Sequence, residues 1–388
     1  MVFWLEKGVD GFRVDTVNMY SKDPAFPDAP VTDLNAECQE AGLTYCNGPR
    51  MNEYLAEMHA ILSRYDAVTV GECPFTPDID TVVGYVSAAQ KRLNMVFQFD
   101  AVDIGKGKVF QYQTTPFNYT LSDLRNAISQ TQGLLRYPDA WTTSFIENHD
   151  QARSISRFGD DSPRWRVRSG KILAMLFACL SGTLFIYQGQ EIGMINMPKD
   201  WPIEEYLDVD SSNYYRMVAQ RSKNDPAELA NAHAALQHLS RDHARTPMQW
   251  NAAVNGGFTS PDTKPWMRVN SSATSINVAK QVKDRDSILA FWKHMLQMRK
   301  TYSNLLVHGE LELLDQDNGS VFSFVKQGTR GQRALVTCNF AGEHSKAPGV
   351  LKHNQRKLLL SNVGSIGESC EVHPDVLEPW EGRLYLLN

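Results

Sequence analysis

A chain of 388 residues is long enough for a sizeable hydrophobic core and for two domains. Its 42% hydrophobic and 21% charged content is that of an ordinary soluble globular protein, and a net charge of −5 argues against nucleic acid as a main partner. The most apolar helix candidate, ILAMLFACLSGTLFIYQG, is broken by Gly182 and polar residues, so no run reaches transmembrane length and no membrane partner is expected.

The chain enters its first strand candidate, residues 9–15, almost at once. Side chains alternate across a strand, so Arg13 and Asp15 share one face and Phe12 and Val14 the other. Two charges on one face are costly to bury unless they pair or sit at an open strand end. Taken alone, such a pair reads first as a structural ion pair; a reactive carboxylate held ionised by its neighbour is the sharper alternative.

Further strand candidates follow at 67–72, 93–99, 142–148 and 183–188. Helical patterns lie between them near 52–65, 120–132 and 162–181, the last started by Ser162 and Pro163 as N-cap and first helical residue. Strand, helix, strand in this order predicts a parallel sheet with helical crossovers. The polar strand ends carry Asp15, Glu72, then Glu147 to Asp150, then Gln188 and Glu191. Reactive groups on the carboxyl ends of successive parallel strands are the layout of a (β/α)8 TIM barrel. A dinucleotide-binding sheet is discounted, because no Gly-x-Gly-x-x-Gly follows a strand.

Residues 196–284 read as an irregular insertion with one helix near 225–239, and a long helix follows at 285–301. From about 308 the pattern is all-β, with runs LELLDQ, SVFSFVKQ, RALVTCNF, RKLLLSN and GRLYLLN separated by turn clusters such as Asp317-Asn318-Gly319. The predicted organisation is α/β: residues 1–303 form a catalytic barrel in which only strands 4–8 are present. Residues 304–388 form an antiparallel all-β C-terminal domain.

The cysteines at 38, 46, 73, 179, 338 and 370 are scattered without metal-ligand spacing and fit reduced thiols of the cytoplasm better than a disulfide framework. Triplets of the glycosylation type at Asn118, Asn270 and Asn318 point the other way only weakly, since they arise often by chance.

Asp15, Glu72 and Asp150 end three different predicted strands. Glycoside hydrolysis needs two carboxyl groups in different environments, one kept ionised as nucleophile and one kept protonated as acid. Arg13 beside Asp15 suits the first. Val68 and Val70, on the face of Glu72, supply an apolar wall that suits the second. Asp150 with His149 is placed to bind sugar hydroxyls. Each acid alone reads as a helix cap or salt-bridge partner; their shared location at strand ends favours the joint reading.

The stretches GFRVDTVNMYSKD, TVGE and FIENHDQARSISRFGDDSPRWR resemble the signature regions of the α-amylase family of glycoside hydrolases, family 13. With IYQGQEIGMIN and SRDHARTPMQWN, the resemblance narrows to the α-glucosidases of fungi, maltases and oligo-1,6-glucosidases, and it runs through LEPWEGRLYLLN at the end. It implies that Asp15 is the nucleophile, Glu72 the general acid and base, and Asp150 the group that fixes ring hydroxyls. It further implies that Arg13, His149 and Arg241 hydrogen-bond the sugar and that Arg245 supports the site by ion pairing. On their own, Arg241 and Arg245 read equally as a charged helix end.

Retention of configuration is implied too, with the two carboxyls roughly 5–5.5 Å apart. Thr16, directly after the nucleophile, is expected to touch the next sugar. Threonine there resembles maltases rather than α-1,6-specific enzymes, so α-1,4 substrates of the maltose type, and sucrose, are expected. Oligo-1,6-glucosidase is the alternative activity, and a non-catalytic transporter heavy chain the alternative class.

Sucrose isomerases of the family carry Arg-Leu-Asp-Arg-Asp after Phe-Gln-Phe-Asp, where this chain has Ala101-Val102-Asp103-Ile104-Gly105, which argues for hydrolysis. The family's earlier signature region and its small inserted domain are not matched, so the chain reads as a C-terminal portion, expected to be poorly folded or inactive alone. No metal and no cofactor are assigned; the partner is a small oligosaccharide, and a monomer is expected.

Overall fold

The computed structural model describes residues 1–34, 38–107, 111–112, 119–349, 356–364 and 372–387. The chain forms two compact units, the first comprising Met1–Ile104, Asn126–Ser144 and Ser181–Thr183, the second Gly105–Arg125, Phe145–Leu180 and Leu184–Asn388.

In the first unit, β1 (Gly11–Val14), β2 (Val68–Cys73) and β3 (Met95–Gln98) form a parallel sheet in that order. Gly11 faces Val68, and a Cβ at Gly11 would stand 2.1 Å from the Val68 carbonyl oxygen, so only glycine allows the two strands this approach. The helix Met51–Leu62 connects β1 to β2 and the helix Ile79–Val86 connects β2 to β3. Their apolar spacings bury Met51, Leu55 and Leu62 from one and Val82, Tyr85 and Val86 from the other. These side chains join Val14, Val17, Cys73, Leu93 and Val96 in one core. Asp78 caps the second helix by accepting from the Thr81 amide at 3.0 Å.

The next two strands are much shorter than their patterns predict. β4 is Thr143–Ser144 and β5 is Thr183–Leu184, and they pair with each other. The Thr143 hydroxyl donates to the Val96 carbonyl at 2.9 Å, which ties β4 to β3. Residues 145–150 leave the strand and form a loop, so Asp150 stands in a turn rather than at a strand end.

In the second unit, the helix expected from Ser162 begins at Arg166 and runs to Ala178. The amides of Trp165 and Arg166 both donate to the Ser162 carbonyl, which makes 162–165 a turn, while the Ser162 amide donates to Asp160. The segment expected to be irregular holds a helix at Val209–Arg221 before the predicted one at Pro226–Leu239. Its buried face is Ser211, Tyr214 and Val218, too polar to leave a clear periodic signal. The long helix is Ile288–Thr301, capped by Ser287.

The C-terminal strands β6 (Glu310–Leu314), β7 (Val321–Gln327), β8 (Arg333–Asn339), β10 (Arg356–Ser361) and β12 (Gly382–Leu387) form an antiparallel sheet in the order β10-β12-β8-β7-β6. A second pair, β9 (Ser345–Lys346) with β11 (Val376–Leu377), is too short for alternation to reveal. Cys38, Cys46, Cys73, Cys179 and Cys338 are free thiols; Cys370 and Asn118 lie outside the described residues. Among the described residues, no helix is long and apolar enough to cross a membrane.

Candidate active site

The first unit brings together Arg13, Asp15, Thr16 and Glu72. Asp15 follows the last residue of β1, and Glu72 is the next-to-last residue of β2, so parallel pairing sets the two carboxylates side by side at one sheet end. The Arg13 guanidinium bridges them: Nη1 bonds Asp15 Oδ1, and Nη2 lies 2.6 Å from Glu72 Oε1. The environments differ sharply. The Asp15 side chain is 71% exposed, whereas that of Glu72 is 7% exposed.

Burial pushes the Glu72 carboxyl above its ordinary range. Arg13 and the Thr16 amide pull against that shift, while a hydrogen bond to Asp15 and its charge push further upward. The expected apolar wall is not the cause. Val68 is 49% exposed and Val70 only half-buried; the packed face of β2 is the other one, carrying Thr69, Gly71 and Cys73.

Thr16 opens the loop that leaves β1. It sits in the left-handed region, φ 37° and ψ 46°, where a β-branched residue is strained. This conformation caps the short helical turn Val17–Met19 and sends the Thr16 amide to Glu72 Oε2 at 3.2 Å. Two residues supporting that turn escaped the sequence reading. Gly71 leaves room for Val17, since a Cβ there would stand 2.7 Å from Val17 Cγ1. Asn18 is fully buried and donates to the Pro74 carbonyl at 2.6 Å and to the Thr76 hydroxyl at 2.9 Å, locking the loop after β1 to the loop after β2. A polar residue amid Val17 and Met19 is the only trace it leaves in the sequence.

The second unit gathers His149, Asp150, Arg241 and Arg245. Arg241 donates from Nε at 2.9 Å and Nη2 at 2.5 Å to Asp150 Oδ1, and Arg245 donates from Nη2 to the same oxygen at 2.8 Å. His149 Nε2 lies 3.2 Å from the other oxygen, Oδ2. Burial alone would raise the Asp150 carboxyl, but the bonds and charges of the arginines, with His149, carry it below the usual carboxylate range. Arg245 also donates to the His149 carbonyl at 3.0 Å.

Asp208 and Asp210, which the sequence reading passed over, complete the cluster. Asp208 pairs with Arg245, and Asp210 accepts from Arg241 at 2.8 Å. Glu147, grouped by sequence with the chemistry, is instead a fully buried partner of Arg153 at 3.2 Å and of the Ser154 amide and hydroxyl. Among the described residues, no group of three or more acids, histidines and cysteines is placed to hold a metal ion.

The first unit thus carries two carboxylates of unlike environment at neighbouring parallel strand ends, and the second an aspartate held in a loop by two arginines. The chain belongs to the alpha-amylase family, whose catalytic domain matches residues 1–309. It is 44% identical to an α-glucosidase of Candida albicans over 390 residues, covering 100% of this chain and 66% of that protein. It is 38% identical to an oligo-1,6-glucosidase of Saccharomyces cerevisiae over 392 residues, covering 99% of this chain and 65% of that one. The chain thus spans about two thirds of the length of the curated relatives it matches.

Among solved structures, a trehalulose synthase variant in complex with Tris aligns with a TM-score of 0.86 at 31% identity, over 100% of this chain and 67% of that one. Bacillus licheniformis trehalose-6-phosphate hydrolase aligns with a TM-score of 0.84 at 32% identity, over 100% of this chain and 67% of that one. The fold is therefore that of the family's α/β enzymes, with the antiparallel β region after it.

Proposed function

We propose that the protein is a retaining α-glucosidase that releases terminal glucose from α-1,4-linked oligosaccharides of the maltose type, and from sucrose. The observation that supports this most directly is the Arg13 bridge: one guanidinium grips an exposed carboxylate and a buried one whose proton is held more tightly. Two carboxyls gripped by one small cation are the arrangement a retaining site needs, because an inverting site must leave room for a water between them.

In this reading, Asp15 attacks the anomeric carbon and forms a glycosyl ester, while Glu72 gives its proton to the departing glycosidic oxygen. Glu72, now ionised, then takes a proton from the water that cleaves the ester, and both carboxyls return to their starting states. Arg13 holds both groups. Asp150, with His149 and Arg241, hydrogen-bonds ring hydroxyls, and Arg245 keeps Asp150 ionised. Thr16 borders the leaving sugar.

The reading also assigns 1–303 to the catalytic (β/α)8 barrel, as its strands 4–8, and 304–388 to an appended β domain, in a cytoplasmic monomer. A second activity the chain fits is that of an oligo-1,6-glucosidase, the name of relatives 38% identical to it.

Replacing Asp15 tests the reading. Asp15→Asn should abolish release of the aryl group from an aryl α-glucoside, because an amide cannot form the glycosyl ester. A rate within about tenfold of the parent would overturn the assignment. Glu72→Gln should slow substrates with poor leaving groups most, since those need full protonation.

A further inference from the structure

Arg241 and Arg245 stand four residues apart around the short helix Asp242–Arg245, so both reach toward Asp150 while the residues between them turn inward. Asp242 is 1% exposed, a place where a carboxylate is costly unless its lone pairs are filled. They are filled by two amides and two hydroxyls. Oδ1 accepts from the Leu207 amide at 2.7 Å and the Asp208 amide at 2.9 Å, and Oδ2 accepts from Ser211 at 2.9 Å and Ser240 at 2.6 Å.

These bonds tie the arginine-bearing turn to residue 208. Asp208 caps the Val209–Arg221 helix through the Asp210 amide at 3.0 Å with one oxygen. With the other it pairs with Arg245 Nη1 and lies 3.8 Å from Arg241 Nε. His243 anchors the same turn, its Nδ1 accepting from the Met197 amide at 3.0 Å and its Nε2 donating to the Leu236 carbonyl at 2.9 Å.

We propose that Asp242 is a positioning residue for Asp150, acting through Asp208 to hold Arg241 and Arg245 on a single oxygen of that carboxylate. The inference rests on the proposed role of Asp150 in holding the sugar. Two guanidinium groups on one oxygen repel each other, and a fixed anion behind both of them offsets that repulsion. Asp208 is that anion, and Asp242 fixes it through its backbone amide. With three N–H groups on Oδ1, Oδ2 keeps lone-pair capacity for His149 and a sugar hydroxyl.

A residue that merely stabilised the helix start would lower the melting temperature and leave the arginines undisturbed. The test compares Asp242→Asn, Asp208→Asn and Asp15→Asn in the full chain. Asparagine caps a helix as well as aspartate does, so Asp208→Asn should stay folded. Both positioning variants should lose about 10- to 100-fold in kcat/KM on an aryl α-glucoside. In 15N-resolved NMR, the Nε–H groups of Arg241 and Arg245 should exchange faster with solvent in both. Nε–H exchange unchanged in both variants, with kcat/KM within about twofold of the parent, would overturn the proposal. If Asp15→Asn keeps its activity, the glycosidase reading falls instead, and the NMR measurement, which needs no turnover, decides the positioning role by itself.

Discussion

Arg13 Nη2 stands 2.6 Å from Glu72 Oε1, and the same guanidinium bonds Asp15 through Nη1. One cation thus bridges an exposed carboxylate and a buried one. Its charge favours the ionised form of Glu72, and the burial of that carboxyl more than offsets the effect.

Removing that cation should therefore separate rate from pH dependence. In Arg13→Met, the Glu72 carboxyl loses a group that lowers its pKa, so it should hold its proton to higher pH. The alkaline limb of kcat/KM should move upward while the maximum falls by about 100-fold, because the two carboxyls are no longer aligned. The full pH profile of the variant checks this; an alkaline limb that stays or moves down would remove Glu72 from the acid role.

Thr16 joins two effects that substitution can pull apart. Thr16→Val keeps the strained left-handed backbone and the amide bond to Glu72, and only exchanges a hydroxyl for a methyl group. The parent should prefer maltose over isomaltose. The variant should gain isomaltose activity by an amount worth about 1–3 kcal/mol in the ratio of kcat/KM values. A ratio that does not move would show that the side chain has no part in linkage choice.

Gly71→Ala should harm the site from beneath. Its methyl would stand 2.7 Å from Val17 Cγ1 and 2.8 Å from Leu93 Cδ1, both in the packed core. Overpacking of this kind costs about 1–3 kcal/mol, and shifting Val17 moves the neighbouring Thr16 amide off Glu72. Thermal unfolding and kcat/KM should both fall; a variant unchanged in both would show that Val17 yields freely.

Lys326 gives the β region a pH dependence of its own. It is fully buried, donates to the Gly309 carbonyl at 2.6 Å, and burial pushes its amine down to about 7. The unfolded chain binds this proton up to its ordinary pKa near 10.4, so unfolding takes up a proton between about pH 7 and 10. Stability should rise with pH across that window, by up to about 1.4 kcal/mol per unit, and be lost again as pH falls toward 7. Lys326→Met should flatten the dependence. Melting temperatures of parent and variant at pH 7 and 9.5 provide the check, and parallel slopes would exclude the lysine as the source.

Much of this was readable in the chain itself, because local patterns follow from local chemistry. Alternation placed Arg13 and Asp15 on one face, and their contact is the one observed. The antiparallel C-terminal strands followed from short runs cut by turn residues, and the helix expected near 225–239 is found at Pro226–Leu239. Tertiary structure decided what such patterns cannot carry. The left-handed turn at Thr16 depends on room that Gly71 leaves and on Asn18 locking two loops separated by 56 residues in sequence. The rise of Glu72 comes from overall burial rather than from Val68 and Val70, whose side of the strand is the more open one. Glu147 and Asp150 sit three residues apart with similar chemistry, yet one is sealed against Arg153 and the other faces two arginines from nearly a hundred residues away. A carboxylate's role is set by which cations and amides surround it, and those neighbours are brought together only when distant segments pack.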